Sequence, residues 1–170
     1  VLFQLFRALA PPHGATDPLA YQLALPKLYL VKHFLSFEAT LTGALYPSNS
    51  GLLYLVGLAL HGGSLAQLLH WSMGVATCAS IYLFTRETFS RETAMWGAGV
   101  FSFLPVVVVF SPQGYVDATL CFFQFVAFWA LWNWMRSGAL PELALAAALT
   151  GLAMGVKHQG MATALVGFGV

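Results

Sequence analysis

Three ionisable side chains stand at helix boundaries in this 170-residue sequence: Asp17, Asp117 and Lys157. The two acids each precede a predicted helix, and Lys157 follows one. An Asp in that position can cap the helix, because its carboxylate accepts hydrogen bonds from the first free backbone amides, and it can also serve catalysis. An ammonium at membrane depth is usually paired or functional, unless its aliphatic stem carries it to the interface. These residues are the first candidates for a functional site.

The elements that would position these residues are strongly apolar. Hydrophobic residues make up 59% of the sequence and charged residues 8%, against about a quarter charged in soluble domains. This composition predicts an all-α, polytopic helical membrane protein in contact with membrane lipid. A net charge of +1 without a basic stripe argues against a nucleic-acid partner. We expect a bacterial or archaeal plasma membrane as the location.

Apolar segments of about 20 residues predict membrane crossings. The predicted spans are residues 64–84, 94–110, 118–135 and 143–156. Residues 1–10 are interpreted as the end of an earlier span and residues 157–170 as the start of further structure, although the last span could instead continue toward Val170. The chain is thus expected to be a piece of a longer protein. Residues 11–63 are predicted to form an outer loop with two interfacial helices.

Because successive spans cross the membrane in opposite directions, counting the crossings places the three candidate residues on one side of it. Arg86, Arg91 and Arg136 lie in the loops of the opposite side. Because short cytoplasmic loops are enriched in Lys and Arg, the arginine side is expected to be cytoplasmic. The candidate residues then meet at the outer face.

The outer segments hold further candidate residues. Asp17 followed by Pro18 is a strong helix-start signal, and the polar residues after it interleave with apolar ones, as in a helix lying in the interface plane. The additional outer candidates are Tyr21, Lys27, Lys32, His13 and His158. The histidines show no zinc-type spacing, yet some of them could hold a metal ion together with Asp17.

The order of several short motifs resembles a known family. The motifs are "TDPLAYQLALPKLYL", "LLYLVGLALHGG", "LLHWSMGVATCASIYLFTRE", "PQGYVDATLCFF" and "GLAMGVKHQG". This succession is similar to the amino-terminal part of GT-C fold glycosyltransferases that use polyprenyl-phosphate sugars, among them the protein O-mannosyltransferases and aminoarabinose transferases. The resemblance covers nearly the whole chain, and the order of the motifs carries more weight than any single one.

The resemblance implies roles for the candidate residues. Asp17 matches the family's catalytic carboxylate, Asp117 matches an acid at the head of a later helix, and Lys157 matches a basic residue that ends the following helix. The chain also departs from the pattern. Pro18 stands where many members carry a second acid, and Gln22 stands where a histidine is common.

The chemistry implied by the resemblance is sugar transfer at the outer face. Asp17 would act as the base for the acceptor hydroxyl, and direct displacement would invert the anomeric configuration. Lys157 would balance the charge of the leaving polyprenyl phosphate, with Lys27, Lys32 or a divalent metal ion as alternatives. The sugar stays open, and the acceptor could be a protein, a lipid or a glycan.

Two other functions also fit the residues. A fragment of a secondary transporter or channel would hold Asp117 and Lys157 as an ion pair at mid-membrane depth. A non-catalytic membrane scaffold would use Asp17 and Asp117 only as helix caps. Since Asn caps a helix nearly as well as Asp but cannot act as a base, the substitution Asp17→Asn separates catalysis from capping.

Overall fold

The computed structural model describes residues 2–13, 17–38, 40–41, 43 and 45–168, except for the side chains of residues 166 and 168. It is 79% helical, and the described residues contain no strand, which confirms the predicted all-α class. The helices are α1 (Leu2–Leu9), α2 (Ala24–Lys32), α3 (Asn49–Leu60), α4 (Gly63–Thr88), α5 (Arg91–Phe103), α6 (Pro105–Phe110), α7 (Asp117–Ser137), α8 (Leu140–Val156) and α9 (Gly160–Phe168). A π-helical turn, Pro18–Gln22, precedes α2.

Helices α4 and α7 are long and apolar enough to cross a membrane, with 26 and 21 residues. They pack side by side in the same direction, since His70 lies beside Ala118 and Phe84, further along α4, packs edge-on against Trp132. A helix of 26 residues is about 39 Å long, which exceeds the roughly 30 Å of a hydrocarbon core. Helices α3 and α8 are shorter but also apolar.

The segment between α4 and α7 is divided into two helices, whereas the sequence predicted one span over residues 94–110. The break falls at Leu104, whose backbone is extended with φ −57° and ψ 127°. Pro105 explains it, because proline lacks the N–H that would bond to Phe101 and its ring excludes the helical conformation of the preceding residue. Helix α6 therefore starts anew at Pro105.

The ends of α7 and α8 lie within three residues of the predicted boundaries. Gly138 terminates α7 with φ +70°, a left-handed conformation that glycine adopts without a steric penalty. Its N–H donates to the Trp134 carbonyl oxygen at 2.7 Å. Helix α8 ends at Val156, and α9 starts only at Gly160, so the last span does not continue unbroken toward Val170.

Small residues let the helices approach closely. Ala130 and Ala146 join Leu131 where α7 packs on α8, and Ala66 joins Tyr54 and Leu23 where α3 and α4 meet the segment before them. Large apolar side chains cover much of the outer surface. The exposed ones on α4 and α7 include Val75, Leu83 and Phe128. Such a surface suits contact with lipid tails.

The close contact of α3 with α4 at Gly57 gives a test of the packing. A Cβ atom added to Gly57 would lie 2.8 Å from the backbone Cα and N of Ala66. We expect Gly57→Ala to lower the free energy of unfolding by up to about 2 kcal/mol, because overpacking costs about 1–3 kcal/mol and the gain in helix propensity offsets about 1 kcal/mol of it.

Gly99 is the matched control, since no described atom lies within 4 Å of an added Cβ there. Denaturant unfolding in detergent micelles, followed by circular dichroism, measures both variants. Equal stability of Gly57→Ala and Gly99→Ala would contradict the close approach of α3 and α4.

Candidate active site

An ion pair joins the end of α8 to the beginning of α7. Lys157 follows the last residue of α8 with an extended backbone, φ −158° and ψ 148°. This conformation turns the chain out of the helix. The Lys157 Nζ donates to Asp117 Oδ1 at 2.8 Å, and the two side chains remain 37% and 42% exposed. The pair is thus open to solvent on one side.

The segment before Asp117 is held by hydrogen bonds from other helices. His70, on α4, lies 3.0 Å from both the Ser111 carbonyl oxygen, through Nδ1, and the Ala118 amide nitrogen, through Nε2. The Tyr54 hydroxyl, on α3, donates to the Tyr115 carbonyl oxygen. Buried backbone groups need such partners. Helices α3 and α4 therefore determine where α7 begins.

In the described part of the chain, neither Asp17 nor Asp117 caps a helix, which corrects the capping role considered from the sequence. A cap residue needs a non-helical backbone, but Asp17 is helical, with φ −65° and ψ −44°. Asp117 is already the first residue of α7, and Val116 occupies the cap position. The Ala118 amide is instead bonded to His70. Within the described residues, neither carboxylate accepts a capping hydrogen bond.

A cavity of about 580 Å³ lies next to the ion pair and brings several predicted site residues together. Val116 and Val156 form its apolar floor, and both belong to the core between α7 and α8. The other lining residues are Asp17, Tyr21, Gln22, Leu25, Gly43, Tyr46, Pro47, Ser48, Gly51, Lys157, His158 and Gln159. The cavity therefore combines a carboxylate, an ammonium and hydroxyl groups on an apolar base.

Aromatic rings form one wall of this cavity. Tyr46 lies edge-on to Tyr21, with ring centroids 5.8 Å apart, and edge-on to His158 at 5.9 Å. Edge-to-face contacts of this kind stabilise aromatic pairs. The wall thus connects the π-helical turn, the segment before α3 and the segment after α8.

The charges around the cavity influence one another. Partial burial lowers the pKa of the Lys157 ammonium, but its hydrogen bond and attraction to Asp117 outweigh burial, so the pKa lies above its usual value. Burial and then the Asp17 carboxylate raise the pKa of Tyr21. Burial followed by Asp17 and Asp117 raises the pKa of Tyr115. Lys157 is therefore a permanent cation at neutral pH, with both carboxylates in its surroundings.

Other predicted residues lie away from the cavity. Lys27 is exposed, and Lys32 forms an ion pair with Glu38. The pair lowers the pKa of Glu38, chiefly through the Lys32 hydrogen bond. His13 is exposed, and its Nδ1 lies 2.8 Å from the Pro11 carbonyl oxygen. The lining formed by the described residues includes none of these three candidates, Lys27, Lys32 and His13.

A metal site was left open by the sequence. Asp17 and His158 both line the cavity. In the part of the chain that the structure describes, however, no three His, Cys, Asp or Glu side chains come together as ligands. A divalent ion can also be held by one or two carboxylates together with the phosphate of a substrate, so the metal ion stays a prediction. The steps below are written for the side chains of the chain itself.

The sequence did not assign several residues of this region to the site, although it indicated His70 as a hydrogen-bonded packing residue. Gln22, Tyr46 and Ser48 line the cavity, and Tyr54 and His70 support the segment before Asp117. Buried Tyr and His inside apolar helices were the only local signal for the last two. Their partners are 61 and 41 residues away in the chain, a separation that no local pattern reveals.

Comparison with known proteins agrees with the resemblance of the motifs. The family model described as dolichyl-phosphate-mannose-protein mannosyltransferase matches residues 50–169, which include Asp117 and Lys157 but not Asp17. Neither a curated protein nor a solved structure matches the chain significantly. Family members are integral membrane proteins, which agrees with the length and apolar composition of α4 and α7. The chain belongs to the dolichyl-phosphate-mannose-protein mannosyltransferase family and is a membrane glycosyltransferase of the mannosyltransferase type.

Proposed function

We propose that the protein transfers a sugar from a polyprenyl-phosphate donor to an acceptor hydroxyl at the outer face of a membrane, with inversion at the anomeric carbon. The observation that carries this proposal is the shared cavity of Asp17 and Lys157. A carboxylate and an ammonium at one cavity are the groups that such a displacement needs, the first for the incoming hydroxyl and the second for the outgoing phosphate.

Asp17 is the proposed base. Its side chain is exposed and lines the cavity, so an acceptor hydroxyl can approach it. The carboxylate takes the hydroxyl proton while the hydroxyl oxygen forms a bond to the anomeric carbon of the sugar. A base within hydrogen-bond reach of the proton is the geometric requirement for this step. The proton ends on Asp17 and returns to water after product release.

Lys157 is the proposed partner of the leaving group. As the bond between the anomeric carbon and the phosphate oxygen breaks, negative charge grows on the polyprenyl phosphate. A pre-positioned ammonium stabilises that charge without reorganising at the moment of reaction. Asp117 keeps Lys157 charged and directed, which makes Asp117 a positioning residue in this mechanism.

The family and the site support particular donor and acceptor classes. The family description names a dolichyl-phosphate-mannose donor and a protein acceptor, so mannose and a protein hydroxyl are the first pair to test. The apolar floor of Val116 and Val156 suits the lipid end of the donor. We place the chain as a multi-pass protein in a bacterial or archaeal plasma membrane, with lipid or glycan acceptors as alternatives.

The transporter alternative and this proposal differ at one position. A transport pathway would use Asp117 and Lys157 as an intramembrane pair and would need no base at Asp17. Membership in a glycosyltransferase family favours transfer over transport. The scaffold alternative loses its basis because neither carboxylate caps a helix in the described part of the chain.

Asp17→Asn tests the base. We expect a loss of sugar transfer of about 10²–10⁴-fold, because the amide cannot take the proton. Folding should be retained, since the Asp17 side chain is exposed and makes no capping bond among the described residues. The measurement is transfer of radiolabelled mannose from a polyprenyl-phosphate donor by the purified protein in detergent.

Glu38→Gln is the matched control for this experiment. It makes the same carboxylate-to-amide change in the same outer segment, but Glu38 pairs with Lys32 rather than lining the cavity. We expect unchanged transfer. Wild-type transfer by Asp17→Asn would remove Asp17 from the mechanism.

Three lysine variants identify the phosphate partner. Lys157→Met should reduce both donor binding and transfer, while Lys27→Met and Lys32→Met should leave them near the wild-type level, because only Lys157 lines the cavity among the described residues. Binding of polyprenyl phosphate, measured by its effect on the melting temperature of the protein, separates affinity from chemistry. A larger loss in either Lys27→Met or Lys32→Met than in Lys157→Met would contradict the assignment.

A further inference from the structure

His70 is fully buried in α4 and makes two hydrogen bonds to backbone groups of another segment. The Ser111 carbonyl oxygen can only accept, and the Ala118 amide can only donate. The ring must therefore carry its proton on Nδ1, which donates to Ser111, and keep the lone pair of Nε2 for the Ala118 N–H. Both partners together select one neutral tautomer.

These two bonds tie both ends of the connection between α6 and α7. Ser111 directly follows α6, and Ala118 is the second residue of α7. The first amides of a helix lack partners within the helix. Val116 at the cap position offers no side-chain acceptor, so the imidazole of His70 fulfils that role from a different helix.

The position of His70 along α4 also sets how far the ion pair of Asp117 and Lys157 lies from the first residue of that helix. His70 lies seven residues after Gly63, the first residue of α4, which corresponds to about 10 Å along the helix axis. Tyr54 helps to hold the start of α7 at this position, because its ring lies edge-on to His70 at 6.3 Å and its hydroxyl donates to the Tyr115 carbonyl oxygen. Asp117 is thus anchored between residues bonded to α3 and α4.

We propose that His70 is a positioning residue for the ion pair of Asp117 and Lys157. By bonding Ala118 and Ser111, it places the first turn of α7 so that the Asp117 carboxylate meets the Lys157 ammonium at the cavity wall. The effect on sugar transfer rests on the proposed function, whereas the effect on the ion pair does not. A histidine that only filled the core would stabilise the fold without affecting this pair.

Two amide variants separate the bonds of His70. In His70→Gln, the amide oxygen reaches the position of Nε2 and can accept from the Ala118 N–H. In His70→Asn, the shorter side chain reaches only the position of Nδ1 and can bond to Ser111 alone. Thr77→Val is the control, because Thr77 is buried on the same helix and its hydroxyl bonds only within α4, to the Met73 carbonyl oxygen at 2.8 Å.

The pKa of the Lys157 amine, measured by NMR, reports directly whether the ion pair with Asp117 is formed. The chain has three lysines, Lys27, Lys32 and Lys157, so reductive ¹³C-methylation gives few NMR signals, and Lys157→Arg assigns the relevant one. We expect Asp117→Asn and His70→Asn each to lower the pKa of the Lys157 amine. His70→Asn should add no further shift in the Asp117→Asn background. His70→Gln and Thr77→Val should keep the wild-type value.

The transfer assay supplies the second measurement. We expect His70→Asn to reduce transfer by about 100-fold, as a misplaced catalytic group can, and His70→Gln to restore most of it. In the Asp117→Asn background, His70→Asn should cause no further loss. A shifted Lys157 pKa in a protein without transfer activity would support His70 positioning while rejecting the proposed function.

The proposal is overturned if His70→Asn folds and the pKa of its Lys157 amine is unchanged. It is also overturned if His70→Gln folds and the pKa of its Lys157 amine is lowered. Should His70→Asn fail to fold, His70→Gln still decides the question together with wild-type hydrogen exchange. Rapid exchange of the Ala118 amide in the wild-type protein would show that the bond to His70 does not hold the first turn of α7.

Discussion

The ion pair between Lys157 and Asp117 relates the end of α8 to the start of α7, and the candidate site is arranged around it. Two charges beside apolar helices are costly unless they are paired and partly hydrated. This pair satisfies both conditions, since each side chain remains more than a third exposed. Half-exposed pairs add little to stability. The contribution of this one is therefore geometric, because it holds an ammonium at the wall of the cavity.

The irregular backbone before Asp117 is subject to a stricter constraint. Non-helical backbone at membrane depth is tolerated only where protein groups or a water-filled cavity satisfy its polar atoms. His70 and Tyr54 supply those groups from α4 and α3. Helix α7 can thus begin about 10 Å further along the bundle than the first residue of α4, with its first carboxylate next to the cavity. The polar residues inside the bundle explain how the candidate site can lie beside apolar helices.

The site combines two parts of the chain. The region that matches the family model, residues 50–169, contains the ion pair and the helices that support it. The segment before this region contributes the Asp17 carboxylate and Tyr21 to the same cavity. The proposed chemistry needs both parts, one for the incoming hydroxyl and one for the outgoing phosphate. Changes in the preceding segment can therefore alter the proton acceptor while the cationic group stays in place.

Local patterns in the sequence were sufficient for the class of the protein and for its longest helices. Low charge and long apolar runs predict a helical membrane protein, and Gly138 and Pro141 mark the boundary between α7 and α8. Crossing parity alone placed Asp17, Asp117 and Lys157 on one side, and the order of the motifs indicated the family. Only the tertiary structure decided that Asp117 and Lys157 pair at the wall of the cavity, that neither acid caps a helix in the described part of the chain, and that His70 supports α7. The ion pair and the hydrogen bonds of His70 depend on contacts between residues about 40 or more positions apart, and the packing of whole helices determines which of those residues meet.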